Sequence, residues 1–330
     1  MIKKINIDIL RLIASFMIVA IHIYPLASIN EDVDYIITRV IFRIAVPFFL
    51  MITGYYILPK ATQNIATLKK YTVKILKLYV ISMLIYLPVN IYTGYFNNIN
   101  FIVLLKDILI NGTFYHLWYF PALILGLWIN YYLIKKLKLK TIYVLFIFLY
   151  VIGLFGDNYY HFIENISIFR TLYNGIFSIF DYTRNGLFYT PIFIFIGYMF
   201  NNKKNTLTNK KNLVYLFIFL IFMTIEGTLL YLYSIPRHSS MYIFLIPFSY
   251  YLFNFAIYNN NGFNKKIRNL STWIYILHPL FILVVRIISK ILNLGILINN
   301  NLINYFMVLT LTIMFILFIY KVNELIKSRQ

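Results

Sequence analysis

Residues 6–26 read NIDILRLIASFMIVAIHIYPL. A run of this length is what a hydrocarbon layer of about 30 Å demands of a helix, roughly 20 residues at about 1.5 Å each. Lys3 and Lys4 precede it, as in a signal peptide. Asp8 and Arg11 interrupt the apolar region, however, and no small-residue cleavage site follows, so the run reads as a retained first span. Working outward, further spans are expected at 36–58, 72–93, 117–137, 141–156, 185–201, 212–234, 240–258, 272–293 and 302–326. The segment 101–112 is too short to cross and is expected to lie at the interface.

The composition agrees. Of 330 residues, 61% are hydrophobic and 12% charged, about half the charged share of an ordinary soluble protein. Such a chain cannot cover a water-exposed surface, which excludes a soluble enzyme, a nucleic-acid-binding domain and a disordered tail. Backbone polar groups inside lipid must be satisfied internally. The expected fold is therefore all-α: a polytopic membrane helical bundle of about ten transmembrane helices, with residues 1–330 forming a single integral membrane domain. Its first partner is the lipid bilayer, and the expected location is a cell membrane, which the chain crosses many times. No soluble domain is expected after the last span. Cysteine is absent, so no disulfide framework exists. The abundance of Ile, Asn, Lys, Tyr and Phe fits AT-rich codon usage.

The net charge of +20 reads as loop charge rather than as a nucleic-acid face. With the N-terminus inside, the inner loops hold Lys60, Lys69 and Lys70, then Lys135, Lys136, Lys138 and Lys140, then Lys203, Lys204, Lys210 and Lys211, then Lys265, Lys266 and Arg268. Lys327 and Arg329 follow the last span. The outer loops hold Glu31, Asp32, Asp34, Asp157, Glu164 and Asp181. This alternation holds through all ten spans, which predicts that both termini are cytoplasmic.

Ionisable groups at membrane depth are costly, so each is a candidate functional residue. Asp8 and Arg11 lie at i, i+3 and can pair; the plain alternative is an ion pair that anchors the helix end. His22 follows Arg11 by eleven residues. Eleven steps of about 100° return to within about 20° of the same face, over a rise of roughly 16 Å. One stripe thus joins a cation near the inner surface to an imidazole in the outer half. Arg43, Glu226 and Arg286 are expected at similar depth, with His116, Arg184, Arg237 and His238 near the outer helix ends. Packed together, these would line a wet, net-cationic cavity around His22 that suits an anionic or strongly polar guest. Otherwise Arg43 and Arg286 snorkel outward with Glu226 as their partner. Pro47, Pro191, Pro247 and Pro279 fall inside spans and either free carbonyls to line a cavity or are harmless kinks. His278 is expected in the inner half of its span, in a structural or supporting place. No Walker loop, HExxH, GxSxG elbow or metal-ligand spacing occurs. No metal is therefore expected, and general-base help from His22 is the simplest chemistry available.

Four stretches carry a family likeness: IDILRLIASFMIVAIH (7–22), RIAVPFFLMITGYYI (43–57), HLWYFPALIL (116–125) and WIYILHPLFILVVR (273–286). On these the chain resembles the membrane-bound acyltransferase family 3, which includes O-acetylases of surface polysaccharide and peptidoglycan. Arg11 and His22 match the family's Arg, ten residues, His signature. Arg43, Pro47 and Gly54 match its second motif, with Thr53 where a Ser is common. Within the family, TRNGLFYTPIFIFIGY (183–198) and PRHSSMYIFLIP (236–247) look most like the membrane domain of vancomycin-resistance-type serine racemases. In those proteins that domain precedes a soluble racemase domain and is linked to serine uptake.

The resemblance implies transfer of an acyl group from cytoplasmic acyl-CoA, acetyl-CoA being the expected donor, to a hydroxyl of a cell-envelope glycan or small polar acceptor. It gives catalytic roles to His22 as general base, Arg11 on the CoA side and Arg43 in orienting donor or acceptor. Asp8, His116, Glu226, His278 and Arg286 are the expected substrate-binding residues. The alternative is a module that takes up L-serine or a similar amino acid. Racemase activity is not expected of the chain itself.

Overall fold

The computed structural model describes residues 6–97, 99–202, 209–233, 236–258, 260 and 262–328, the side chain of Asn202 excepted. The expected loop cations Lys3, Lys4, Lys203, Lys204 and Arg329 lie outside the described residues. The described residues form helices and no strand. In chain order these are α1 (Ile7–Ile23), α2 (Glu31–Gln63), α3 (Ile65–Tyr92), α4 (Phe101–Lys106), α5 (Tyr119–Lys136), α6 (Leu139–Phe155), α7 (Ser167–Ile179), α8 (Thr190–Asn202), α9 (Asn209–Leu232), α10 (Leu245–Tyr258), α11 (Lys265–Ile291) and α12 (Asn301–Lys327). Each of the ten stretches expected to span holds one helix. Five of them, α2, α3, α9, α11 and α12, are by themselves long and apolar enough to cross a membrane. Others are short: α8 has 13 residues and α10 has 14, about 20 Å at 1.5 Å per residue. α8 is also deeply buried, with Phe193, Ile194 and Phe195 fully enclosed. A helix shielded by its neighbours need not match the bilayer thickness.

The asparagines have a structural use that composition hides. Asn6, Asn30, Asn64, Asn100, Asn264 and Asn300 each stand just before a helix and accept a backbone N–H of its first turn. The short amide side chain satisfies donors that have no partner inside the helix. Proline placement is similarly orderly. Pro191 and Pro247 fall in the first turns of α8 and α10, where a missing N–H costs nothing. These two free no carbonyls, the second of the two alternatives above, whereas Pro279 is inside α11.

By its internal contacts the chain divides into two compact units, Met1–Val46 with Phe255–Gln330, and Pro47–Asn254. In the first, α1 and α11 run parallel. The Asn264 N–H donates to Asp8 Oδ2 at 2.7 Å, Ser271 Oγ donates to Arg11 O at 3.2 Å, and the His22 and His278 rings meet. α12 returns antiparallel, since Asn301 Nδ2 donates to Tyr24 O at 2.9 Å and Tyr305 OH to Phe16 O at 3.3 Å. The start of α2 is irregular: a π segment, Tyr35–Val40, then a 3-10 turn, Ile41–Ile44. Asp34, expected as an outer-loop charge, is buried instead, accepting from Leu26 N and Thr38 Oγ1 at 2.8 and 3.1 Å.

In the second unit α8 is central. α5 runs along it, Thr190 Oγ1 donating to Ala122 O at 3.1 Å and Asn130 Nδ2 to Pro191 O at 3.1 Å. α6 packs ring to ring on it through Phe146–Phe195 and Tyr150–Phe193. α2 crosses α8 at two glycines. A Cβ on Gly54 would collide with Ile194 O, and one on Gly197 with Met51 O. Small residues allow such backbone approach between apolar helices. α9 and α10 are antiparallel, held by Asn212 Nδ2 to Tyr251 O at 3.0 Å and Asn254 Nδ2 to Asn212 Oδ1 at 2.7 Å. α7 occupies part of the expected outer loop. It presents Ile168, Leu172 and Ile179 outward, and Tyr173 OH ties it to Ile152 O at 2.7 Å.

Candidate functional site

The Asp8 carboxylate is fully buried at the start of α1. Its Oδ1 pairs with Arg11 Nη1 at 3.0 Å, and its Oδ2 takes the N–H of Asn264, the residue that caps α11. Asp8 therefore fastens two helix starts together and fixes the Arg11 side chain. Both oxygens are engaged, which is the ion-pair anchor given above as the plain alternative.

His22 is in the last turn of α1 and half-buried. Its ring stacks on His278 with centroids 5.3 Å apart and planes 23° from parallel. His278 is fully buried at the midpoint of α11. Its pose follows from the residue after it. In a regular helix Tyr275 O would accept the N–H of residue 279, but Pro279 has none. His278 Nδ1 supplies the missing donor, 2.9 Å from Tyr275 O and 3.1 Å from Ile274 O. Two carbonyl acceptors on one nitrogen require Nδ1–H, so the neutral ring carries its lone pair on Nε2. The His–Pro pair thus sets both the orientation and the tautomer of the ring against which His22 rests.

Arg43 lies in the 3-10 turn that packs against α1, half-buried, with Nε donating to Arg39 O at 3.4 Å. Arg39 was not among the residues expected from sequence. It stacks over Tyr24 at 4.6 Å and Tyr35 at 5.7 Å. Tyr24 is the left-handed cap that ends α1 two residues after His22, with φ 58°. Arg39 thereby puts a cation beside the negative end of the α1 dipole. The RVIFR spacing in the sequence, two arginines four apart on one turn of α2, carried that signal. Arg286 is exposed on α11, as in the outward-facing alternative given above. Eight residues separate it from His278, about 80° of helix rotation beyond two turns, so it does not share the His278 face.

His116 and Glu226 belong to the second unit. His116 is buried before α5, boxed edge-on by Tyr86, Phe114 and Tyr115 at 5.0, 5.8 and 5.5 Å. Glu226 is buried in α9, and its acceptor capacity is directed to backbone. Oε1 accepts from Tyr159 OH and Ile243 N, both at 2.6 Å, and Oε2 from Phe244 N at 3.0 Å. These amides immediately precede α10. Burial, then the adjoining Glu226 charge, pushes the Tyr159 phenol well above its ordinary range, which keeps it a donor. Asp157, expected as a loop charge, is also fully buried. Its Oδ1 takes Ser240 N and Met241 N at 2.8 and 3.0 Å, with His238 Nδ1 3.6 Å from Oδ2. Two carboxylates thus hold the chain from 240 to 244. Among the described residues Glu226 forms no ion pair with the arginines; its carboxylate is a structural acceptor for the amides that precede α10. Arg184 stacks over Trp118 and Tyr182 at 5.1 and 4.8 Å, and Arg237 over Phe177 at 3.7 Å. Among the described residues no three His, Cys, Asp or Glu side chains gather as a metal ion requires.

Comparison with known proteins adds the following. The sequence pattern of a family described as an acyltransferase domain, acyltransferase family 3, matches residues 4–321. An amino-acid racemase of Enterococcus faecalis is 39% identical over 269 residues, covering 81% of this chain and 37% of that protein. A second amino-acid racemase of the same organism is 38% identical over 311 residues, covering 92% and 44%. A serine/alanine racemase of Enterococcus gallinarum is 37% identical over 339 residues, covering 99% and 48%. The chain spans less than half the length of these relatives. No solved structure matches it.

Proposed function

Because this chain belongs to acyltransferase family 3, we propose that it is an integral membrane O-acyltransferase that passes an acyl group from acyl-CoA to a hydroxyl of a cell-envelope glycan or small polar acceptor. The observation that carries the reading is the stacked His22–His278 pair at the end of α1. His22 takes the proton of the acceptor hydroxyl as its oxygen attacks the thioester carbonyl; the C–S bond breaks, and the CoA thiolate leaves and is protonated. Arg43, on the turn packed against α1, orients donor or acceptor and faces the developing oxyanion. Arg11, held by Asp8, meets the CoA end. Acetyl-CoA is the donor expected. The protein lies in the bacterial cytoplasmic membrane with ten spans and both termini inside. The parallel run of α1 and α11 supports that count, since the intervening chain must then cross an odd number of times and seven spans are expected between them.

The test is purified protein with radiolabelled acetyl-CoA and envelope acceptors. Transfer by wild type, and a loss of about 100-fold or more in His22→Ala, is the expected result. Equal turnover by both would remove the mechanism.

A second reading has its own support. The racemase relatives and the 183–198 and 236–247 stretches favour a membrane module that takes up L-serine or a similar amino acid. Reconstituted vesicles would then accumulate labelled serine above protein-free vesicles; no accumulation rejects this reading.

A further inference from the structure

A cavity of about 970 Å³ lies within the second unit, remote in sequence from every residue given a catalytic role above. One wall is α6, with Ile147 and Val151; the other is formed by α9 and α10, with Phe219 and Pro247; Phe195 of α8 lines the floor. Its volume is at the upper end of the range for ligand sites. The lining is apolar almost throughout, and Lys140, at the beginning of α6, is its only charged residue among the described residues.

The polarity of the groove follows from helix directions. Asp157, just after α6, binds the amides of Ser240 and Met241, just before α10. Glu226, late in α9, binds those of Ile243 and Phe244. The C-terminal ends of α6 and α9 therefore share one end of the groove with the start of α10. The N-terminal ends of α6 and α9 share the other. Lys138 and Lys140 stand at the start of α6, and Lys210 and Lys211 at the start of α9; of these Lys140 lines the groove. The groove thus has an apolar length of about 26 Å, the 17 residues of α6 at 1.5 Å each, and a cationic mouth.

Water does not wet an apolar cleft at membrane depth, and α9 is mostly uncovered along its length, with 22% of its apolar window buried. Hydrocarbon chains fit the walls, and the lysines demand an anion at one end. We propose that this groove is a binding site for an anionic glycerophospholipid, with acyl chains between α6 and the α9–α10 pair and the headgroup phosphate at Lys140. The lipid completes the contact of α9 with the rest of its unit.

The experiment uses the full chain in nanodiscs of mixed phosphatidylglycerol and phosphatidylcholine, each in turn carrying a photoactivatable group on one chain, with cross-links mapped by mass spectrometry. Phosphatidylglycerol is expected to label the peptides holding Ile147, Val151 and Pro247 in preference to phosphatidylcholine. Val151→Trp fills the cleft and abolishes these cross-links while labelling elsewhere is unchanged. Lys140→Gln, an exposed position that folding tolerates, weakens phosphatidylglycerol retention by about fivefold, the contribution of one cation at an anionic surface. Even labelling around the protein, equal labelling by both lipids, or full retention in Lys140→Gln overturns the proposal.

Discussion

Glu226→Ala separates a structural acceptor from a substrate ligand. The carboxylate receives three hydrogen bonds, from Tyr159 OH, Ile243 N and Phe244 N, and it is buried. Bonds to a charged acceptor contribute roughly 1.5–3 kcal/mol each in soluble proteins, while bonds between membrane helices average about 0.6 kcal/mol. Three bonds bracket the loss between about 2 kcal/mol at the membrane value and about 5 kcal/mol at the lower soluble value. Glu226→Gln keeps one acceptor oxygen but turns an amide NH2 toward a backbone donor, so it should lose about half as much. Tyr159→Phe removes one bond and should lose least. The assay is thermal unfolding in detergent, followed by fluorescence-detected size exclusion, with acyl transfer measured on the folded fraction well below the midpoint. The expected order of destabilisation is Ala, then Gln, then Tyr159→Phe, with transfer per folded molecule near wild type. A Glu226→Gln protein as stable as wild type but inactive would refute the structural assignment and restore a substrate role.

Three further outcomes follow from the packing. Gly54→Ala should destabilise by about 1–3 kcal/mol, because the new methyl meets Ile194 O and the two helices must part; a thermal midpoint equal to wild type would contradict the close crossing. Asp8→Ala removes the partner of Arg11 and the acceptor of Asn264 N–H together, and should cost about 2–3 kcal/mol in the same assay, discounted from the buried-pair range because Arg11 is partly exposed. His278→Ala should lower the transfer rate constant by about 10- to 100-fold through loss of His22 positioning, while His278→Phe, which keeps a ring for stacking, should retain more of it; equal losses would show that stacking is not what matters.

The helices were legible because hydrophobic run length is a local property: each of the ten expected stretches contains one. Contacts made by charged groups were less so. Glu226 stood out as a carboxylate at membrane depth, yet its partners are backbone amides 17 and 18 residues downstream, and backbone donors leave no mark in sequence. Asp34 and Asp157 looked like loop charges for the same reason. Arg286 was placed on the right helix, and the angular arithmetic applied to Arg11 and His22 would have turned it away from His278. α7 was missed because its apolar residues, Ile168, Leu172, Ile176 and Ile179, recur at helical spacing among polar ones, so no continuous run announces it. The stack of His22 on His278 joins residues 256 positions apart in the chain, and only the packing of α1 on α11 reveals it.

The absent amide hydrogen of Pro279 has a consequence for inheritance. The imidazole before it is tethered by a vacancy in the helical ladder, so the two residues form a single inherited unit. A lineage that exchanged the proline alone would restore the ladder and untie the ring; one that exchanged the histidine alone would leave the Tyr275 oxygen without its donor. Drift should therefore preserve or discard the dipeptide whole, and its presence in a relative marks the same anchored ring.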